Sequence, residues 1–143
     1  IPANGTFSPE QKLIYDLVYN AQEAGIAVSV VGNNLSSPDT AARIVVNEGL
    51  IALGIAKDDV EARRYFPHGT SHHIGLDTHD YGLLHEPMEA NNVFTVEPGI
   101  YLPKEGFGIR LEDDVVIQKS GSPFNLMGNI PIEADEIEEI MLG

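Results

Sequence analysis

The sequence contains no cysteine, and only 8 Lys plus Arg stand against 22 Asp plus Glu. Without cysteine there is no disulfide staple, no thiolate metal site and no cysteine nucleophile. The shortage of basic residues leaves a formal charge of −14, a surface that repels phosphate backbones and argues against a nucleic-acid partner. No apolar run approaches the length of a bilayer span, so no membrane partner is expected. A methionine start is also lacking: Ile1 opens the chain, and no signal-like apolar stretch follows it. The sequence therefore reads as beginning inside a longer gene product or after processing. What is present is ordinary for a globular protein, with 43% hydrophobic and 21% charged residues in 143, enough for one domain with a modest core. The acidity has two readings. It is either a solubilising surface or, in part, a set of metal ligands whose charge a bound cation would offset.

Along the chain, Ser8-Pro9-Glu10-Gln11 carries a capping serine, proline at the first helical position and glutamine three residues after the cap. Leu13, Ile14, Leu17, Val18 and Ala21 recur at helical spacing, which predicts an amphipathic helix from Ser8 to about Ala24, ended by Gly25. Ile26 to Val31 reads equally as a strand or as a continued buried helix. Ser37-Pro38-Asp39 opens a second helix with Ala41, Ala42, Val45, Val46, Leu50 and Leu53 on its expected buried face, closed by Gly54. Residues 57–66 read as a connection. Val93 to Tyr101 and Phe107 to Ile117 are β-rich runs around a hairpin loop, Pro103 to Gly106. Ser120 to Pro123 is a turn, and Ile132, Ile137, Ile140 and Met141 mark a short acidic helix. Two helices, then strands, then a helix give an α+β order with no internal boundary, so residues 1–143 form part of one domain.

The hairpin yields the sharpest inference. With a four-residue loop Leu102 pairs with Phe107, and the same register sets Glu97 opposite Glu112. Opposed residues hold their Cβ atoms about 4.5–5.5 Å apart, and like charges there destabilise a sheet. Two such glutamates call for a shared proton or a cation between them. Arg110, two residues from Glu112, falls on the same face and supplies part of the compensation. A slip of one residue would put the glutamates on opposite faces, and both facing solvent is the bland alternative.

Four of the five histidines lie between Tyr65 and Gly82, a glycine-rich stretch without helical period. Imidazole and carboxylate together suit Mn²⁺ as well as Zn²⁺, and His72 with Glu97 and Glu112 makes a minimal ligand set. His68 and His72 stand four apart, but Gly69 and Gly75 argue against a helical zinc site and no glutamate follows His68. His73 and His85 are read as surface or hydrogen-bonded residues. Ser71 lacks the setting of a nucleophilic serine.

Three segments, His68-Gly69-Thr70-Ser71-His72-His73-Ile74-Gly75-Leu76-Asp77-Thr78-His79-Asp80, Thr95-Val96-Glu97-Pro98-Gly99-Ile100-Tyr101 and Gly108-Ile109-Arg110-Leu111-Glu112-Asp113-Asp114, closely resemble signatures of the aminopeptidase P and prolidase family. They stand in that family's order and at similar spacing. Pro2 to Tyr15 and Ile130 to Met141 also resemble family sequence, so the whole chain is covered. The resemblance implies the pita-bread fold, truncated at its N-terminal side, and hydrolysis of Xaa–Pro peptide bonds at two divalent ions, manganese first, with zinc or cobalt as alternatives. It makes His72, Glu97 and Glu112 metal ligands, with Glu112 bridging. Glu97 also becomes the general base or proton shuttle, His68 and His79 contact the substrate and stabilise the developing intermediate, and Arg110 supports the carboxylates. A proline-containing peptide substrate, a homo-oligomeric parent and a cytoplasmic location go with it. The family's two remaining ligands, both aspartates, belong to strands upstream of Ile1. The expectation is therefore weak metal binding and no activity by residues 1–143 alone, with exposed sheet edge or apolar surface where those strands belong. The competing class is a non-catalytic pita-bread module that binds peptides or proteins.

Overall fold

Ser8 starts the first helix as its sequence dictates. Its hydroxyl accepts from the Gln11 amide at 3.2 Å while the Gln11 side chain accepts from the Ser8 amide at 2.9 Å, a reciprocal cap that satisfies two amides the helix cannot. In the computed structural model, which describes all of residues 1–143, this helix α1 runs Pro9–Ala27. It passes through Gly25, where the sequence reading ended it. Gly25 is buried, and a Cβ there would lie 3.0 Å from Val96 Cγ1. The glycine thus admits a strand against the helix and does not terminate it. Ile26 and Ala27 belong to the helix, and the residues after them form a turn. Helix α2, Ser36–Ala52, packs along α1 through Val18, Ala21, Ala42, Val46 and Leu50, all fully buried. A four-residue helix α3, Asp59–Ala62, capped by Asp58, lies in the stretch read as plain connection. One turn is too short to show a period.

The two β-rich runs are each divided. Strands β1 (Val93–Val96) and β2 (Gly99–Leu102) are separated at Glu97-Pro98, and β3 (Phe107–Arg110) and β4 (Asp113–Val116) at Leu111-Glu112. Proline has no N–H to give a ladder, which accounts for the interruption on the first run. The register survives it: Leu102 faces Phe107, Gly99 faces Arg110 and Val96 faces Asp113, while the Leu111 amide reaches the Pro98 carbonyl at 3.4 Å. One continuous count therefore sets Glu97 opposite Glu112 in the gap between the ladders. On the other side of β1 the histidine segment runs antiparallel, with the Thr95 amide on the His72 carbonyl at 3.0 Å and the Glu97 amide on the Thr70 carbonyl at 2.7 Å. A two-residue strand β5 (Phe124–Asn125) pairs with β4, beyond the turn read from Ser120 to Pro123.

Alternation along these strands separates core from site. Phe94, Val96, Ile100, Leu102, Val115 and Ile117 are buried on one face, which the helices cover. Thr95, Glu97, Gly99 and Tyr101 occupy the other positions. Helix α4, Ala134–Leu142, sets Ala134 and Ile137 against Tyr15, with Phe7 alongside. The Tyr15 hydroxyl donates to the Ile132 carbonyl at 2.7 Å, and burial, helped by the charges of Glu133 and Asp16, pushes its pKa up to about 12. No helix is long and apolar enough to cross a membrane.

Candidate metal centre

Glu97 reaches the site because it follows β1 directly, and its amide is fixed by the Thr70 carbonyl. Its side chain is 11% exposed, against 41% for Glu112. His72 arrives from the neighbouring segment, its amide donating to Thr95 Oγ1 at 3.1 Å and its ring Nδ1 lying 3.0 Å from the His73 carbonyl. A carbonyl can only accept, so Nδ1 carries a proton in that contact and Nε2 is the nitrogen available to a metal. His72 Nε2 lies 3.3 Å from Glu97 Oε1. One ligand atom each from His72, Glu97 and Glu112 falls within 4.8 Å of the others. A nitrogen lone pair and two carboxylates converging at that spacing fit a divalent cation, and without one the carboxylates repel.

Arg110 sits on this face as the register demands, 3.6 Å from Glu97 and 4.0 Å from Glu112. It is 48% exposed, so its compensation is screened by water. A measurable consequence follows for the metal-stripped protein. Glu112→Gln removes one of two opposed charges and should raise its stability by up to about 1 kcal/mol. Excess Mn²⁺ should reverse the order, because only the wild type gains the full ligand set. Melting curves with chelator and with Mn²⁺ test this, and a Glu112→Gln variant that is the less stable of the two under chelator contradicts it.

The other predicted residues surround the trio. The His79 ring stands edge-on to His72 with centroids 4.5 Å apart. His68 is placed differently: its Nδ1 lies 2.8 Å from the Gly69 carbonyl and its Nε2 2.9 Å from the Tyr101 hydroxyl. The same carbonyl argument puts a proton on Nδ1, and in the neutral ring Tyr101 then donates to Nε2. A Cβ on Gly99 would lie 2.9 Å from the Tyr101 hydroxyl and 3.1 Å from His68 Nε2, so the glycine keeps open the space this pair occupies. His73 points its ring toward Phe94, and neither it nor His85 belongs to the cluster. Asp80 accepts from the Leu76 and Tyr81 amides and serves the turn. Sequence reasoning missed Tyr101, although its parity with Glu97 placed it on the site face. It also missed Asp39 and Arg43, whose spacing of four on α2 was the available signal.

The model of "Metallopeptidase family M24" matches residues 1–119. The chain belongs to metallopeptidase family M24. The Xaa-Pro aminopeptidase 1 of Streptomyces coelicolor is 37% identical to this M24 chain over 99% of its length and 33% of the relative's. A zinc-substituted Escherichia coli aminopeptidase P, solved in complex with product, superposes with a TM-score of 0.90 at 34% identity, covering 99% of this chain and 36% of the other. Pseudomonas aeruginosa aminopeptidase PepP gives 0.91 at 34% identity, with 99% and 37% covered. The fold is the pita-bread fold of aminopeptidase P. The M24 chain spans about a third of the length of the relatives it matches.

Proposed function

We propose that this M24 chain is the C-terminal portion of the catalytic domain of an Xaa-Pro peptidase, and that it furnishes His72, Glu97 and Glu112 to a centre of two divalent ions. The convergence of those three side chains within 4.8 Å carries the reading, and the relatives' names supply the substrate class. Such ions, when bound, supply Lewis-acid polarisation and make water more acidic. The chain's own residues do the rest. Glu112, the more exposed carboxylate, is suited to reach both ions, and Glu97, enclosed beside His72, to hold or pass a proton. Arg110 steadies the two carboxylates. His79 and His68 border the place where a proline-containing peptide would lie. Manganese, a homo-oligomeric parent and a cytoplasmic location complete the reading.

Three ligands make an incomplete centre, with the rest expected from aspartates upstream. Calorimetric titration of metal-stripped protein with Mn²⁺ tests this. The full-length protein should take up two equivalents, whereas residues 1–143 alone should bind weakly and at one site at most. Tight uptake of two equivalents by residues 1–143 would refute the claim of incompleteness, and no uptake by the full-length protein would favour a non-catalytic binding module.

A further inference from the structure

His68 precedes the strand-like part of its segment, so the ladder that fixes His72 does not fix it. Another device holds it. Arg43 on α2 donates through NH1 to the Phe66 carbonyl at 3.0 Å, through NH2 to the His68 carbonyl at 2.6 Å and through Nε to Asp39 at 2.8 Å. The second Asp39 oxygen accepts from the fully buried Thr70 hydroxyl at 2.9 Å. The guanidinium also lies over the Phe66 ring, 4.4 Å from its centroid, and that ring stands edge-on to His68 at 5.1 Å. The carbonyls of Phe66 and His68 and the hydroxyl of Thr70 are thereby tied to a single helix turn. A planar fork with several fixed donors can bridge two carbonyls and a carboxylate at once, which an ammonium cannot.

We propose that Arg43, oriented by Asp39, is a positioning residue that sets the His68 ring against Tyr101 on the site face. Thr70 completes the tie. The inference rests on the peptidase reading only for the use to which His68 is put. The Arg43 bonds themselves reach only the Phe66 and His68 carbonyls, while His72 keeps its own bonds to Thr95 and Thr70 its bond to Asp39, so loss of Arg43 falls first on His68. The clamp gives Arg43 a role in the reaction although the residue touches neither the ligand trio nor the space between its members.

The test uses the full-length protein with Arg43→Lys and Arg43→Ala. Its readouts are imidazole NMR resonances of the zinc-loaded protein, because manganese would broaden them, together with metal content and steady-state rates on a proline-containing peptide. Arg43→Lys keeps the charge and the helix, so it remains informative where Arg43→Ala fails to fold. Both variants should shift the His68 ring resonances while those of His72 stay near wild type. Metal content should be unchanged, and kcat/KM should fall about 10- to 100-fold, as when other outer supports of a metal site are removed. A lowered melting temperature with unmoved His68 resonances and wild-type kcat/KM in Arg43→Lys overturns the proposal, because that is the pattern of a purely structural residue. A wild-type protein without Xaa-Pro hydrolysis refutes the peptidase reading alone, and the His68 resonances then decide the clamp by the same criterion.

Discussion

Glu112→Ala in the full-length protein is expected to remove Xaa-Pro hydrolysis and at least part of the metal. Glu112 is the member of the trio with most access to solvent, 41% exposed, and it faces Glu97 across the gap between the two ladders. In the proposed centre Glu112 would be shared by both ions, so its loss would disturb both together. Charge stabilisation by such ions is worth several kcal/mol, and each 1.36 kcal/mol is tenfold in rate, so the fall should be on the order of 10³-fold or more. Truncation also leaves Arg110 with Glu97 alone, 3.6 Å away, which favours closure of that ion pair over metal binding. The effect should appear in kcat as well as in kcat/KM, because the lost interaction acts on the reacting groups. His79→Ala should differ: the ring only abuts His72, so metal content should stay near normal while the rate falls. Rates and metal analysis on the same preparations check both. Unchanged rate and full metal content in Glu112→Ala would defeat the role given to it.

Much of the site was legible because a hairpin converts sequence into geometry. Once Pro103 to Gly106 formed the loop, every later pair followed, and the structure keeps Leu102 against Phe107 and Val96 against Asp113. Pro98 removed a donor from the ladder and interrupted the first run, yet it did not change the register, so the Glu97–Glu112 opposition survived an error in strand length. The first cap was equally plain, since Ser8 and Gln11 bond within four residues. Gly25 misled the reading because local propensity names glycine a helix stop, whereas its neighbour here is Val96, 71 positions further along the chain. Long-range contacts of that kind leave no periodic trace. The same holds for Arg43, whose partners Phe66 and His68 contribute carbonyl oxygens that every residue possesses. The histidine segment could be assigned chemistry but not a path. Its antiparallel course beside β1 comes from backbone pairing that loops rich in glycine do not announce.

The second large effect concerns the chain by itself. Residues 1–143 retain their helical core, their register and the convergence of His72, Glu97 and Glu112, yet three ligands leave much of the charge of two divalent ions uncompensated. An ion would relieve the repulsion between the two glutamates, but Arg110, 3.6 Å from Glu97 and 4.0 Å from Glu112, already offsets part of it and competes with the metal. His72, Glu97 and Glu112 alone would hold at most one ion loosely, and so would supply less of the charge stabilisation that a complete centre provides. The isolated chain should therefore lack turnover even where excess metal keeps its one weak site occupied, while the full-length protein turns over at modest metal concentration. The most direct measurement is the steady-state hydrolysis of one Xaa-Pro peptide by both preparations across the same Mn²⁺ series. Steady release of the residue before proline is expected from the full-length protein, and none above buffer from residues 1–143 at any Mn²⁺ concentration. Turnover by residues 1–143 alone, or a metal-replete full-length protein that leaves the peptide intact, would contradict this.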